Sequence, residues 1–202
     1  MSISYPLSLP TNKGFANVVI TPRSVVGAVI SGFTGEQQVQ PHPGQLFGMD
    51  VEMPPMQRAD AEEWITFLLS LNGREGTFLA GDPNAATARG VATGTPQVNG
   101  ASQTGRVLVT DGWTISTTGI LLAGDMIQIG ARLHKNLKDV NSDGGGNATL
   151  DIWPALRESP ADNASIITAN TVGVFRLASS EMPYSIGEAQ FYGISFSAIE
   201  AL

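Results

Sequence analysis

A mainly β protein with one α-helix is what this sequence predicts: a split β-barrel or sandwich-like domain interrupted by an inserted small β-barrel of OB type. Three observations carry that reading. The 23 glycines and 12 prolines are spread along all 202 residues and cut the chain into short runs, the habit of turn-rich β proteins. Helical periodicity occurs once. Two like phrases, Gly76-Thr77-Phe78-Leu79-Ala80 and Gly173-Val174-Phe175-Arg176-Leu177-Ala178, stand far apart in the chain.

In chain order, Phe15 to Ile20, Val25 to Ile30 and Leu46 to Met53 are β-favouring runs, the last following a turn predicted at Pro41-His42-Pro43-Gly44. Pro54-Pro55 stops that strand. Ala61, Trp64, Ile65, Leu68 and Leu71 then recur at helical spacing, predicting an amphipathic helix over about 58–72. Asp60, Glu62 and Glu63 suit its positive end, and Asn72-Gly73 supplies a left-handed stop. The two Gly-x-Phe phrases are expected to pair in one sheet. The intervening chain then leaves and re-enters its host at nearby points, the geometry of an inserted domain. The expected division is 1–82 plus 160–202 for the outer domain and 83–159 for the insertion. Within the insertion, strands are expected at Arg106 to Thr110, Ile120 to Ala123, Met126 to Ile129, Arg132 to His134 and Ala148 to Trp153. Gln190 to Ile199 alternates as a closing strand.

Hydrophobic residues make up 42% and charged residues 14%, enough for a buried core. The net charge of -7, with no basic run, argues against nucleic-acid binding, which depends on Lys and Arg replacing counterions. The acidity lies in the flanks: residues 90–158 carry five basic against six acidic groups, and the remainder six against twelve. With no cysteine, neither disulfides nor thiolate metal sites can support the fold. Met1 to Pro10 lacks the order of a signal peptide, and no stretch nears the roughly 18 apolar residues of a span. A soluble, unexported chain without membrane insertion is expected.

Tests for chemistry point away from catalysis. Asp139, Asn141 and Asp143, with Gly144, match the opening of a calcium loop, but Leu150 stands where a bidentate glutamate is needed. A Gly-rich turn is the expected reading, and no metal or other cofactor is expected. His42 lies between prolines and His134 alternates with Arg132 in a strand, so neither is expected to act as a base. Glu62 and Glu63 read as solvated helix-start carboxylates. Gly144-Gly145-Gly146 is followed by no Lys-Ser/Thr pair and opens no helix, so it does not read as a phosphate loop. Trp113 and Trp153 are core candidates that could alternatively stack on a sugar.

Several phrases nevertheless resemble a known family. Phe33-Thr34-Gly35-Glu36-Gln37-Gln38-Val39, Met53-Pro54-Pro55-Met56 with its Asp-x-Glu-Glu-Trp helix, and Gly76 to Pro83 resemble minor tail proteins of long-tailed bacteriophages and prophages. Asn99 to Gly105, Gly119 to Gly130 and Asp139 to Thr149 are similar to the same proteins. The order of elements is similar to that of the distal tail protein. The resemblance implies a virion protein made in the bacterial cytoplasm, forming a six-fold ring at the tail tip. It implies as partners further copies of itself, the tail tube protein, the baseplate hub and other tail-tip proteins. A carbohydrate-binding module using Trp113 or Trp153 is the alternative from a different class, and a carboxylate-based cell-wall enzyme is the third.

Overall fold

The computed structural model describes residues 3–201; Met1, Ser2 and Leu202, which the expected outer domain includes, lie outside the described residues. The chain is mainly β with one helix, and it divides into two compact units. The first comprises the residues up to Pro22, Leu46–Ala80 and those from Gly173 onward; the second comprises Arg23–Gln45 and Gly81–Val172.

The first unit is built on the predicted helix, α1 (Arg58–Ser70). Ala61, Trp64, Ile65 and Leu68 are buried, as their spacing requires, and Phe67 joins them. Asn72 (φ 50°) and Gly73 (φ 68°) end the helix in left-handed backbone. Lys13 reaches Asp60 in its first turn at 3.2 Å. The sheet comprises β1 (Asn17–Ile30), β2 (Gln37–Glu52), β3 (Phe78–Ala80), β10 (Gly173–Leu177), β11 (Tyr184–Ile186) and β12 (Tyr192–Glu200). The order is β1-β2-β12-β10-β3, with β11 on β12. The two Gly-x-Phe phrases pair antiparallel: Gly173 opposes Ala80 and Phe175 opposes Phe78. On β12, Ile194, Phe196, Ala198 and Glu200 alternate inward. Trp64 is fully buried among rings, 5.8 Å from Phe15, 5.9 Å from Phe67 and 6.3 Å from Phe196.

The turn expected at Pro41-His42-Pro43-Gly44 is not there: β2 runs straight through it. Strand alternation explains how. Glu36 and Glu52, both even-numbered, accept through their carbonyls from Ser31 and Ala16 on the β1 side, whereas odd-numbered Met53 donates to Ile194 of β12. Pro41 and Pro43 therefore place their missing N–H on the side away from β1, where a strand tolerates proline. The two strands expected at Phe15 to Ile20 and Val25 to Ile30 are one, β1, which begins at Asn17.

The second unit carries β4 (Gly94–Val98), β5 (Gly105–Trp113), β6 (Met126–Ile129), β7 (Arg132–Asn136), β8 (Ala148–Leu156) and β9 (Ile166–Ile167), in the order β4-β5-β8-β7-β6-β9. The ends nearly meet: Gln97 bridges Ser165, and Val98 N–H donates to the Ala164 carbonyl at 2.9 Å. The result is a nearly closed six-stranded barrel. Its core includes Val98, Leu108, Ile120, Leu121, Ile127, Leu150 and Ile152, all fully buried. Ile120 to Ala123, expected as a strand, is not one; Leu121 forms an isolated bridge with Val140. The unit reaches Val172 where 159 was expected, because β9 pairs with β6. Its incoming and outgoing chains run side by side, with Asn170 N–H donating to the Ala86 carbonyl at 2.7 Å. At Gly81 a Cβ would stand 2.1 Å from the Thr171 carbonyl oxygen, so only glycine fits there.

Candidate functional site

Where a sheet is covered on one face, its strands alternate between buried and exposed residues. The outer part of the β1–β2 hairpin does not. Pro22 to Ile30 and Gly32 to Pro43 are exposed without exception. The exposed residues are apolar on both faces: Val25, Val26, Val29, Ile30 and Val39 are each at least half exposed, and Phe33 at the tip is fully so. Only Arg23 and Glu36 bring formal charge to this arm.

Local chemistry holds the arm in shape. At the tip Ser31 N–H donates to the Glu36 carbonyl at 2.8 Å, Gly35 N–H to the Ser31 carbonyl at 3.0 Å, and Thr34 N–H to Ser31 Oγ at 3.2 Å. That turn leaves Phe33 pointing into solvent. At the foot, Gln45 Oε1 accepts from Ala155 N–H at 2.8 Å, and the Gln45 carbonyl accepts from the Arg157 guanidinium. A two-stranded ribbon has little stability of its own in water, and exposed apolar area of this extent marks a contact surface. The first unit has an exposed apolar patch of its own: Tyr184 and Ile186 on β11, Phe191 and Leu69 are all exposed, and Tyr184 stacks on Tyr192 with ring centroids 6.3 Å apart.

The residues singled out for chemistry are occupied elsewhere. Asp139 Oδ1 accepts from Ala123 N–H at 2.8 Å, and Asn141 Oδ1 from Gly119 N–H at 2.7 Å. Asp143 Oδ1 accepts from the N–H groups of Gly145 and Asn147, each at 2.8 Å. The Asn147 side-chain and backbone donors, with Gly145, hold the Asp143 carboxyl below its ordinary pKa. The three side chains thus bind the loop together. Among the described residues, no group of three or more acidic, His or Cys side chains is placed to hold a metal ion.

Trp113 is a core residue, the first of the two readings given for it above. It is only 3% exposed, and its Nε1–H donates to Thr110 Oγ1 at 2.8 Å, which in turn donates to the Ala148 carbonyl at 2.8 Å. Its ring lies in the barrel core and offers no open face. Trp153 is half-buried on β8, opposite Lys135. His42 is exposed on β2. Glu62 is exposed and pairs with Arg58 at 3.2 Å, and Glu63 is exposed too.

His134 is 4% exposed, and its Nδ1 lies 2.7 Å from the Pro154 carbonyl. A carbonyl only accepts, so Nδ1 carries the proton. Burial depresses the imidazole pKa below 6.5; the Pro154 bond opposes this, and Arg132 adds to it. The unfolded chain therefore binds a proton first, and stability is complete above pH 6.5 and falls as pH drops below it. The expected slope is at most about 1.4 kcal/mol per pH unit. Thermal melts of the wild type between pH 7.5 and 5 should show it. His134→Asn, which keeps a donor for Pro154, should flatten this part of the profile, and an unchanged slope would refute the assignment.

The arm itself is what reading the sequence missed. The available signal was the run Ser24 to Ile30, apolar at odd and even positions alike, in contrast to a half-buried strand. No helix among the described residues is long and apolar enough to cross a membrane. No known protein-family model matches the chain, and no curated protein matches it in sequence.

Proposed function

We propose that this chain is a structural subunit of a long-tailed phage tail tip. In this reading it acts without catalysis, by assembling with copies of itself into a six-fold ring that joins the tail tube to the baseplate hub. The observation that carries the reading is the arm: more than twenty consecutive residues, Pro22 to Pro43, almost wholly exposed and apolar on both faces. A surface of that kind marks a contact with another chain. The resemblance of the Phe33 to Val39 and Met53 to Met56 phrases to minor tail proteins supports the particular assembly. The acidic flanks suit a channel through which DNA must slide without sticking.

The test is the mass and symmetry of the purified protein. Light scattering and electron microscopy should find concentration-dependent oligomers, six-fold among them, and the protein should be a component of purified particles. Val29→Asp combined with Phe33→Asp should reduce association at least tenfold while leaving the melting temperature of the isolated chain unchanged, because both side chains are solvent-exposed. A strictly monomeric wild type at high concentration would refute the proposal.

A further inference from the structure

We infer that the outer edge of β1 pairs with the same edge of a second copy, antiparallel and centred on Gly27. This goes beyond the ring reading and does not rest on it: a contact between identical edges closes at two copies, or joins two assemblies face to face.

The two edges of the arm differ. On the β2 side, Pro41 and Pro43 occupy outward-facing positions and block a continuous ladder. β1 is the end strand of its sheet. Ser31 donates to Glu36, and Gly27 lies against Gln40, so in the outer part of β1 the odd-numbered residues face β2; the pairing shifts by one residue nearer the foot, where Ala16 donates to Glu52. The N–H and C=O groups of Ser24, Val26, Ala28 and Ile30 therefore point outward. This stretch holds no proline and no charge, the devices that normally keep an exposed edge single.

Register singles out one partner. In an antiparallel pair, outward-facing residues must oppose outward-facing residues. A twofold axis at Gly27 opposes Ser24 to Ile30 and Val26 to Ala28 of the other copy, satisfying all four outward positions from both chains. It also sets Val25 against Val29, and places glycine on the axis at a close, non-hydrogen-bonded pair, where Cα atoms stand about 4.5 Å apart. Centring the axis on Val26 instead would bring Pro22 into a donor position, and centring it on Ala28 would leave Ser24 opposite the turn. The exposed aliphatic residues of β1 with Phe33 and Val39 present several hundred Å², of the order of the ~800 Å² per partner in a standard interface.

The chain has no cysteine, which makes the test clean. A Cβ at Gly27 would meet nothing closer than 3.8 Å, so Gly27→Cys is accommodated. Under mild oxidation Gly27→Cys should form a disulfide-linked dimer; Val25→Cys alone should not, and Val25→Cys with Val29→Cys should. Val26→Pro removes an outward N–H without touching the β1–β2 ladder, and should weaken association at least tenfold in sedimentation with an unchanged melting temperature. The inference is overturned if Val25→Cys cross-links as readily as Gly27→Cys, or if Val26→Pro associates like the wild type. Six-fold rings that give no Gly27→Cys cross-link would overturn this contact and leave the ring reading standing. Cross-linked dimers without rings would do the reverse.

Discussion

Asp125→Ala is expected to destabilise the second unit by about 3–5 kcal/mol, because it takes the acceptor from three backbone N–H groups, at roughly 1–3 kcal/mol for each that stays buried. Asp125 is 3% exposed at the turn before β6, and its carboxylate gathers three backbone donors from two separate segments. Oδ1 accepts from Arg89 N–H at 2.9 Å, and Oδ2 from Gly90 N–H at 3.0 Å and Leu122 N–H at 2.8 Å. The Arg89 guanidinium adds an ion pair at 3.5 Å. Burial alone would raise the carboxyl pKa, but the N–H groups of Leu122, Arg89 and Gly90, with the Arg89 charge, outweigh it and hold the pKa below 3.8. The stabilisation is thus present above pH 3.8 and lost as pH falls through the lower, folded-state value. Alanine leaves three N–H groups facing a void. Asparagine offers one acceptor and turns an NH₂ towards donors, so Asp125→Asn should fall between alanine and wild type. Urea denaturation at pH 7, followed by tryptophan fluorescence, measures both variants, and each should also lose the stability change below pH 3.8. An alanine variant within 1 kcal/mol of wild type would mean that the carboxylate does not tie these segments together.

Trp64→Ala should cost the first unit about 3–5 kcal/mol, since a fully buried indole leaves a cavity that its ring neighbours cannot close. Trp64→Phe is the informative companion. Among the described residues, Trp64 Nε1 is buried with no hydrogen-bond acceptor, an unmade bond that phenylalanine removes together with the donor. The phenylalanine variant should therefore lose less than about 1.5 kcal/mol despite its smaller ring. Equal losses for the two variants in thermal unfolding would show that ring volume alone governs the site.

Much of this architecture was legible in the residues. The period of Ala61, Trp64, Ile65 and Leu68 could be only helical, and the Asn72-Gly73 stop could be only a terminus. The paired Gly-x-Phe phrases identified β3 and β10 as neighbours because both are apolar on alternate positions with glycine at one end. What stayed hidden depended on which way a group faces. Proline inside a run reads as a break, yet Pro41 and Pro43 sit in a strand because their missing donors face away from β1. Trp113 was a core candidate from the start, but its bond to Thr110 Oγ1 depends on an orientation the sequence does not show. Asp125 resembled any other turn aspartate, since its importance comes from Arg89 and Gly90, far away in sequence. The arm was hard to recognise because periodicity reports a strand with one buried face, and this hairpin has none.

Ala80 and Gly173 oppose each other in the sheet of the first unit, so the 81–172 segment departs from one strand and returns on its direct neighbour. Its removal would leave two adjoining strand ends that a short turn can close, with the register of Phe78 on Phe175 untouched and the Gln45 bonds to Ala155 and Arg157 lost from the foot of the arm. The segment is therefore heritable as a separable part. Recombination at these two points could delete it, replace it or lend it to another lineage while the host sheet keeps its own selection history, and change can accumulate in one part of the chain at a rate the other does not share.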